Sequence, residues 1–174
     1  MKKITLYIAI SLDGFIARKD GRIDWLSPFE NSEEDYGYKE FYKNVDTVIM
    51  GNKTYKQTLS FSEFPFKDKK CYVFTRDKKK TKDENAIFVN KKTKNFIKKL
   101  DKEDKNMWLV GGASIVKEFL KLDLIDEFII SVIPILLGDG IRLFNGKLNE
   151  KILRLIDIKS FDSGLAQIYY KRIR

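Results

Sequence analysis

The sequence predicts one α/β domain, a three-layer α/β/α sandwich whose central sheet is mostly parallel and ends in antiparallel C-terminal strands. Three observations carry this expectation. Apolar runs of strand length recur at 4–10, 47–50, 71–75, 86–89, 107–110 and Glu127–Ile133, and most lack polar alternation, as strands buried on both faces do. Patterns of helical period lie between them, so strand alternates with helix and right-handed βαβ units follow. The last third breaks this rhythm. Glu127–Ile133, 152–161 and Ala166–Arg172 succeed one another as strands, with Ser163-Gly164 as a hairpin turn.

In chain order, the run 4–10 follows Met1-Lys2-Lys3 and so resembles a signal peptide. It holds only seven residues, contains Thr5 and Tyr7, and meets Ser11-Leu12-Asp13-Gly14 without a cleavage pattern, so it reads as a buried first strand. Ser32-Glu33-Glu34-Asp35 resembles a capping box opening a helix with Tyr38, Phe41, Tyr42 and Val45 at helical spacing. The run 47–50 ends at Gly51 and leads into an element with Lys53 and Thr54 on its first turn. Cys71, the lone cysteine, opens the run Cys-Tyr-Val-Phe and reads as a small buried strand residue rather than a reactive thiol. Thr93 caps a second helix with Phe96, Ile97 and Leu100 on one face. A third follows Gly112, with Ile115, Val116, Phe119 and Leu120 as its apolar stripe. No repeat or Pro/Gly/Ser-rich linker divides the 174 residues, a length that buries about two-thirds of the unfolded surface in a single domain, 1–174.

Composition prunes the chemistry. There is no histidine, which removes Ser-His and Cys-His nucleophile pairs, a His base and His metal ligands. One cysteine excludes internal disulfides and Cys-rich zinc sites, and no metal site is expected. No segment approaches the ~18 uninterrupted apolar residues of a membrane span, so a cytoplasmic location is expected. The formal charge of +9 favours anionic partners, although lysines spread along a chain also simply solvate a surface.

Three segments share one grammar. In Met107-Trp108-Leu109-Val110-Gly111-Gly112-Ala113-Ser114-Ile115 a buried strand runs into two glycines and a helix. Glycines permit a sharp turn and close approach of an anion, and the unpaired N–H groups of a helix start point at it. Geometry alone also demands glycine at such turns, and neither G-x-G-x-x-G nor a Walker A motif is present. In Val48-Ile49-Met50-Gly51-Asn52-Lys53-Thr54, a lysine and a hydroxyl follow a strand end and suit phosphate. Thr75 and Arg76 place a hydroxyl and a guanidinium at a third. Ligands of open α/β sheets sit outside such ends.

Ordered motifs over nearly the whole chain resemble the dihydrofolate-reductase-like superfamily, most closely its riboflavin-biosynthesis reductase (RibD C-terminal) domains and their stand-alone relatives. They are 11–17 (Ser-Leu-Asp-Gly-Phe-Ile-Ala), Asp24-Trp25, 46–51 with Thr54-Tyr55, 108–115, and 124–127 followed by 134–144. The resemblance implies a dihydrofolate-reductase-like fold and reduction of a small heterocyclic substrate by NADPH. The implied reaction is similar to that of 5-amino-6-(5-phosphoribosylamino)uracil reductase. By motif position Ala9 and Ile10 would meet the nicotinamide through their backbone. Gly51, Lys53 and Thr54 would line the phosphates, Thr75 and Arg76 would face the adenosine, and Gly111, Gly112, Ala113, Ser114 and Ile115 would hold the pyrophosphate. Asn52 stands where the family often has a basic residue, leaving Lys53 and Arg76 to neutralise a 2′-phosphate.

The acidic residue that binds the pteridine in dihydrofolate reductases corresponds to Asp35, the expected catalytic group, although a helix start favours a carboxylate there in any case. Asp24 and Trp25 would cover the substrate side, with core packing the other reading of Trp25. Asp13 reads as a turn residue. Arg142, after the loop Leu137-Gly138-Asp139-Gly140, would anchor an anionic, phosphorylated substrate. Relatives often pair through C-terminal strands, and Glu127–Ile133 is apolar enough for that, so a homodimer is expected. The family's two-domain members carry a zinc deaminase, for which this sequence has neither the length nor the ligands. Two alternatives stand beside this reading: a true dihydrofolate reductase, and a basic nucleic-acid-binding module, whose aromatic-interleaved basic stripe or recognition helix is not found.

Overall fold

The apolar runs pair into one eight-stranded sheet in the computed structural model, which describes residues 2–30, 33–100 and 104–173. Its strands are β1 (Lys3–Ser11), β3 (Thr47–Gly51), β4 (Lys70–Phe74), β5 (Ile87–Val89), β6 (Asn106–Gly111), β7 (Glu127–Ile133), β9 (Leu153–Ser160) and β10 (Ala166–Arg172). They lie in the order β5-β4-β3-β6-β1-β7-β10-β9. Every pairing from β5 to β7 is parallel, and β10 runs antiparallel to both β7 and β9. The mostly parallel sheet with an antiparallel C-terminal edge is therefore the architecture found. β2 (Phe15–Ala17) and β8 (Ile141–Arg142) form a separate two-stranded ribbon, too short to give a periodic signal.

Five helices accompany the sheet among the described residues: α1 (Ser27–Glu30), α2 (Tyr38–Lys43), α3 (Asn52–Thr58), α4 (Thr93–Lys99) and α5 (Ala113–Lys121), with a 3-10 turn at Asp24–Leu26. Side-chain alternation along the strands sorts them onto two faces. Ile4, Leu6, Ile49, Met107 and Leu109 join α4 and α5 in one core, including Phe96, Ile115, Val116 and Phe119. Val48, Met50, Cys71, Val73 and Trp108 join Tyr55 of α3 in the other, with Phe41 and Tyr42 of α2 packed against it. Connections travelling toward β5 use the second face and those travelling back use the first, as right-handed crossovers require. Cys71 is 3% exposed, and burial pushes its thiol up to about 12, which leaves it unreactive.

Three local expectations are corrected. Ser32 lies outside the described residues; α2 starts only after Gly37 (φ 76°), and Val45 follows its end at Asn44. Asp35 lies two residues before the Gly37 cap and accepts the Gly37 and Lys39 N–H groups at 3.0 and 3.1 Å. Thr93 is the first helical residue rather than the cap, which is Lys92; its hydroxyl instead bonds Glu118 of α5. Finally, Glu127–Ile133 offers no edge for pairing with another chain, because β1 and β10 flank it on both sides.

Candidate active site

Because six strands run parallel, their C-terminal ends arrive at one edge of the sheet. Met50 of β3 is in register with Gly111 of β6, and Gly51 with Phe74 of β4, so all three predicted phosphate-compatible ends are brought together. Gly111 has φ 128° and a cis peptide joins it to Gly112. The Gly112 N–H donates to Thr54 Oγ1 at 2.9 Å, and a Cβ on Gly112 would lie 3.2 Å from that oxygen. A side chain at 112 would thus have to push Thr54 back by a few tenths of an ångström, so glycine suits the close contact of the turn with α3. Thr54 Oγ1 is the acceptor in this bond, which leaves its hydroxyl proton for another acceptor. In α5, Ile115 and Val116 N–H groups turn back to the Gly112 carbonyl; Ala113 and Ile115 are buried and Ser114 is exposed. Thr54→Val should lower stability by about 1–2 kcal/mol by orphaning the Gly112 N–H; an unchanged urea midpoint would contradict the bond.

Around this turn, Lys53 and Arg76 are exposed, and neither has an ion pair among the described residues. Asn52 is half-buried, and its Oδ1 has no hydrogen-bond partner. Thr75 Oγ1 accepts the Asp77 N–H at 3.1 Å, ordering the strand end.

The candidate cleft lies beside this edge, where β1 is incompletely covered. β1 lies in the interior of the sheet, yet Tyr7, Ile8, Ala9 and Ile10 are only half-buried. Ala9, Ser131 and Gln167 stand in register across β1, β7 and β10, and a polar network crosses this floor. Gln167, fully buried, donates from Nε2 to Tyr7 Oη at 3.0 Å and to Ser131 Oγ at 2.9 Å. Its Oε1 accepts from the Tyr169 hydroxyl. Tyr7 Oη also donates to the Tyr36 carbonyl at 3.4 Å. The Tyr7 ring meets Phe41 edge-on, with centroids 4.7 Å apart, and its carbonyl accepts the Trp108 indole N–H at 2.9 Å.

The predicted substrate-side residues fare differently. Asp35 reaches this region from the helix side, but its carboxylate pKa is lowered by the Gly37 and Lys39 N–H groups, which favours the ionised form. Asp24 is held by Arg18 through bonds of 2.8, 3.1 and 2.9 Å, and that pairing lowers its pKa. Arg142 stacks its guanidinium over Phe15 at 4.5 Å and donates to the Asp13 carbonyl at 3.2 Å. Both Asp24 and Arg142 therefore serve the loops around the cleft. Trp25 is 4% exposed in a cluster with Tyr36, Ile133 and Leu165, against which Ala9 packs. Its indole Nε1 has no partner, so it packs and still presents a donor.

Asp13 does more than turn the chain. It accepts from the Ser11 hydroxyl at 2.6 Å, and from the Leu137 and Gly138 N–H groups at 3.1 and 2.7 Å. The Ser11 bond first, and then the backbone bonds, lower its pKa. Lys19 pairs with Asp139 across the same gap. The 134–142 loop is thereby tied to the rim of β1. Sequence reasoning missed the floor network; its one visible signal was Tyr7 interrupting an apolar strand, while Ser131 and Gln167 stand in register with Ala9 and meet Tyr7 two residues away.

A model of the RibD C-terminal domain family matches residues 2–167. The chain is 48% identical over 173 residues to YwjB, an uncharacterized protein of Bacillus subtilis strain 168, with 98% of each chain covered. Among solved structures, one of a candidate riboflavin biosynthesis protein from Shewanella sp. PV-4 is 32% identical, with a TM-score of 0.86 and 100% of both chains covered. Two more distant structures share the fold alone. One is the diaminohydroxyphosphoribosylaminopyrimidine deaminase/5-amino-6-(5-phosphoribosylamino)uracil reductase of Thermotoga maritima, with TM-score 0.76, 14% identity, and 99% of this chain and 57% of that one covered. The other is dihydrofolate reductase of Enterococcus faecalis complexed with NADP(H), with TM-score 0.72, 13% identity, and 99% and 97% covered. The fold is thus similar to that of dihydrofolate reductase.

Proposed function

Since the chain belongs to the RibD C-terminal domain family, we propose that it is an NADPH-dependent reductase of the riboflavin-pathway type, acting as one domain over 1–174. Its substrate in this reading is a small phosphorylated pyrimidine such as 5-amino-6-(5-phosphoribosylamino)uracil, the compound named for the Thermotoga relative. One observation carries the proposal: Gly51 to Thr54, Thr75 to Arg76 and Gly111 to Gly112 converge on one sheet edge, beside the half-buried stretch Tyr7 to Ile10 of β1.

The residues present fit a dinucleotide. A Cβ at Gly112 would crowd Thr54 Oγ1 at 3.2 Å, and the partnerless Asn52 Oδ1 can accept a hydroxyl or N–H. Bound at this edge, the dihydronicotinamide supplies a hydride. The Ala9 and Ile10 backbone would orient the carboxamide. Lys53 and the Thr54 hydroxyl would hold phosphate, Ala113 to Ile115 would line the pyrophosphate, and Thr75 and Arg76 would flank the adenosine. Trp25 would donate to the substrate from its free indole N–H, and Asp35, ionised, would accept from it. Asp24 and Arg142 enter through their loops, which shape the rim on the substrate side.

A homodimer in the cytoplasm completes the reading. What supports pairing is β9, an edge strand whose Leu155, Ile156 and Ile158 are 49, 55 and 57% exposed, since isolated monomers seldom leave such a row uncovered. None of the helices of the described residues is long and apolar enough to cross a membrane.

The test is titration with NADPH and NADH, followed by quenching of the two tryptophans. Binding of NADPH in preference to NADH is expected, and Arg76→Ala should weaken NADPH about tenfold, or ~1.4 kcal/mol, while leaving NADH nearly unchanged. Equal losses for the two would remove Arg76 from the 2′-phosphate. No binding of either nucleotide would end the reductase reading.

A further inference from the structure

The reduction of a C=N or C=O bond needs a proton as well as a hydride, and Asp35 is poorly placed to give one. Both of its oxygens already accept backbone N–H groups at the start of α2, and its pKa is lowered rather than raised. A carboxylic acid that donates at neutral pH requires the opposite environment.

Resting on the reductase reading above, we propose that Tyr7 Oη is the proton donor, held in its donating orientation by Gln167. The geometry works by elimination of orientations. The Tyr169 hydroxyl occupies Gln167 Oε1, which turns the amide nitrogen toward Tyr7 and Ser131. Tyr7 Oη therefore accepts from Gln167, and its own proton must point elsewhere. The acceptor within the fold is the Tyr36 carbonyl at 3.4 Å, far beyond the ~2.7–2.8 Å preferred for O–H···O, so that proton is weakly engaged. Tyr7 is half-buried on an interior strand, two residues before Ala9, whose backbone the reading above sets against the nicotinamide. Burial is the largest influence on its hydroxyl, outweighing the Gln167 bond and raising its pKa with help from Tyr169 and Asp35. The group is thus in its neutral, proton-bearing form at neutral pH.

The step balances simply. As a hydride bonds to the electrophilic carbon of the substrate, the π pair of the C=N or C=O bond moves to the heteroatom. The Tyr7 proton bonds to that pair, and the phenolate left behind takes a proton from water. Gln167, which does not reach the substrate, is a positioning residue: its amide donates to the developing phenolate and stabilises it.

The experiment compares wild type, Tyr7→Phe and Asp35→Asn in single turnovers with NADPH and 5-amino-6-(5-phosphoribosylamino)uracil. In parallel, the Tyr7 Cζ resonance is followed in protein labelled at tyrosine Cζ while NADP+ and the pyrimidine are added. Tyr7→Phe should keep NADPH affinity within about twofold and lose about 10²–10⁴ in rate. Asp35→Asn should lose less than Tyr7→Phe, mainly through KM, and the Tyr7 resonance should shift on adding the pyrimidine. A Tyr7→Phe rate within threefold of wild type overturns the assignment. So does an unshifted Tyr7 resonance, whether or not turnover occurs. Absence of wild-type turnover would instead count against the reductase reading, with the resonance still deciding whether Tyr7 meets the ligand.

Discussion

Phe119→Ala is expected to lower the unfolding free energy by about 3–5 kcal/mol, the range of large aromatic truncations in a packed core. Phe119 has no exposed surface and lies at the centre of the α5 face. Its ring meets Phe74 edge-on with centroids 5.7 Å apart at 81°, and in that geometry aromatic pairs contribute beyond their buried area. Because α5 begins at the Gly112 turn, the same change should loosen nucleotide binding from a distance. Urea unfolding measures the first effect, with Leu12→Ala as the control. Leu12 is 64% exposed, and its truncation should stay within about 0.5 kcal/mol. A loss at Phe119 no larger than at Leu12 would mean that α5 does not pack as described.

Gly140→Ala should be comparably costly, by about 2–6 kcal/mol, and should act on the cleft rim. Gly140 has φ 155°, and a Cβ there would land on the Ala17 carbonyl oxygen and lie 3.3 Å from Phe15 Cδ1. The obstacle is mostly backbone, so no rotamer change relieves it. Overpacking of this kind costs about 1–3 kcal/mol, and a strained backbone on the order of 1–3 kcal/mol more. The β2–β8 ribbon carries Arg142 over Phe15, so its disruption should release the rim tied down by Asp13. The expected signature is a raised KM for the pyrimidine with NADPH affinity little changed, alongside the lower melting temperature. A variant that melts like wild type would show that β2 and β8 do not pair closely.

The fold was legible in the sequence because its main signal is local. A strand buried on both faces reads as an apolar run, and β1, β3, β4, β6 and β7 all do. The antiparallel edge was legible for the same reason, through the strand rhythm around Ser163-Gly164. What escaped was local structure decided by tertiary contact. Thr93 looks like a cap until Glu118 of α5 claims its hydroxyl. The β2–β8 ribbon depends on residues far apart in the chain, and neither strand is long enough to carry a period. Glu127–Ile133 is apolar because its side chains pack into the faces of the sheet, Phe128 and Ile130 in one core and Ile133 in another.

The candidate site divides in the same way. Gly51 to Thr54, Thr75-Arg76 and Gly111-Gly112 could each be noticed as strand ends, and parallel pairing alone places them together. The bond from Gly112 to Thr54 could not be noticed, since 58 positions separate the two residues. Nor could the network of Tyr7, Ser131 and Gln167, where Ser131 and Gln167 stand in register and Tyr7 reaches them from two residues along β1. Asp24 and Arg142 looked like ligand contacts because a charged residue beside a cleft has two possible uses. Arg18 and Phe15 show the structural use in both cases, and the ligand-binding use stays part of the proposal.

The central claim is that this sheet edge and the cleft beside it reduce a phosphorylated pyrimidine with NADPH. The direct measurement is the loss of NADPH near-ultraviolet absorbance on adding 5-amino-6-(5-phosphoribosylamino)uracil to the pure protein, with dihydrofolate as comparator. Pyrimidine-dependent oxidation of NADPH that dihydrofolate does not elicit is the predicted result. No oxidation with either compound, or oxidation with dihydrofolate alone, would contradict the account.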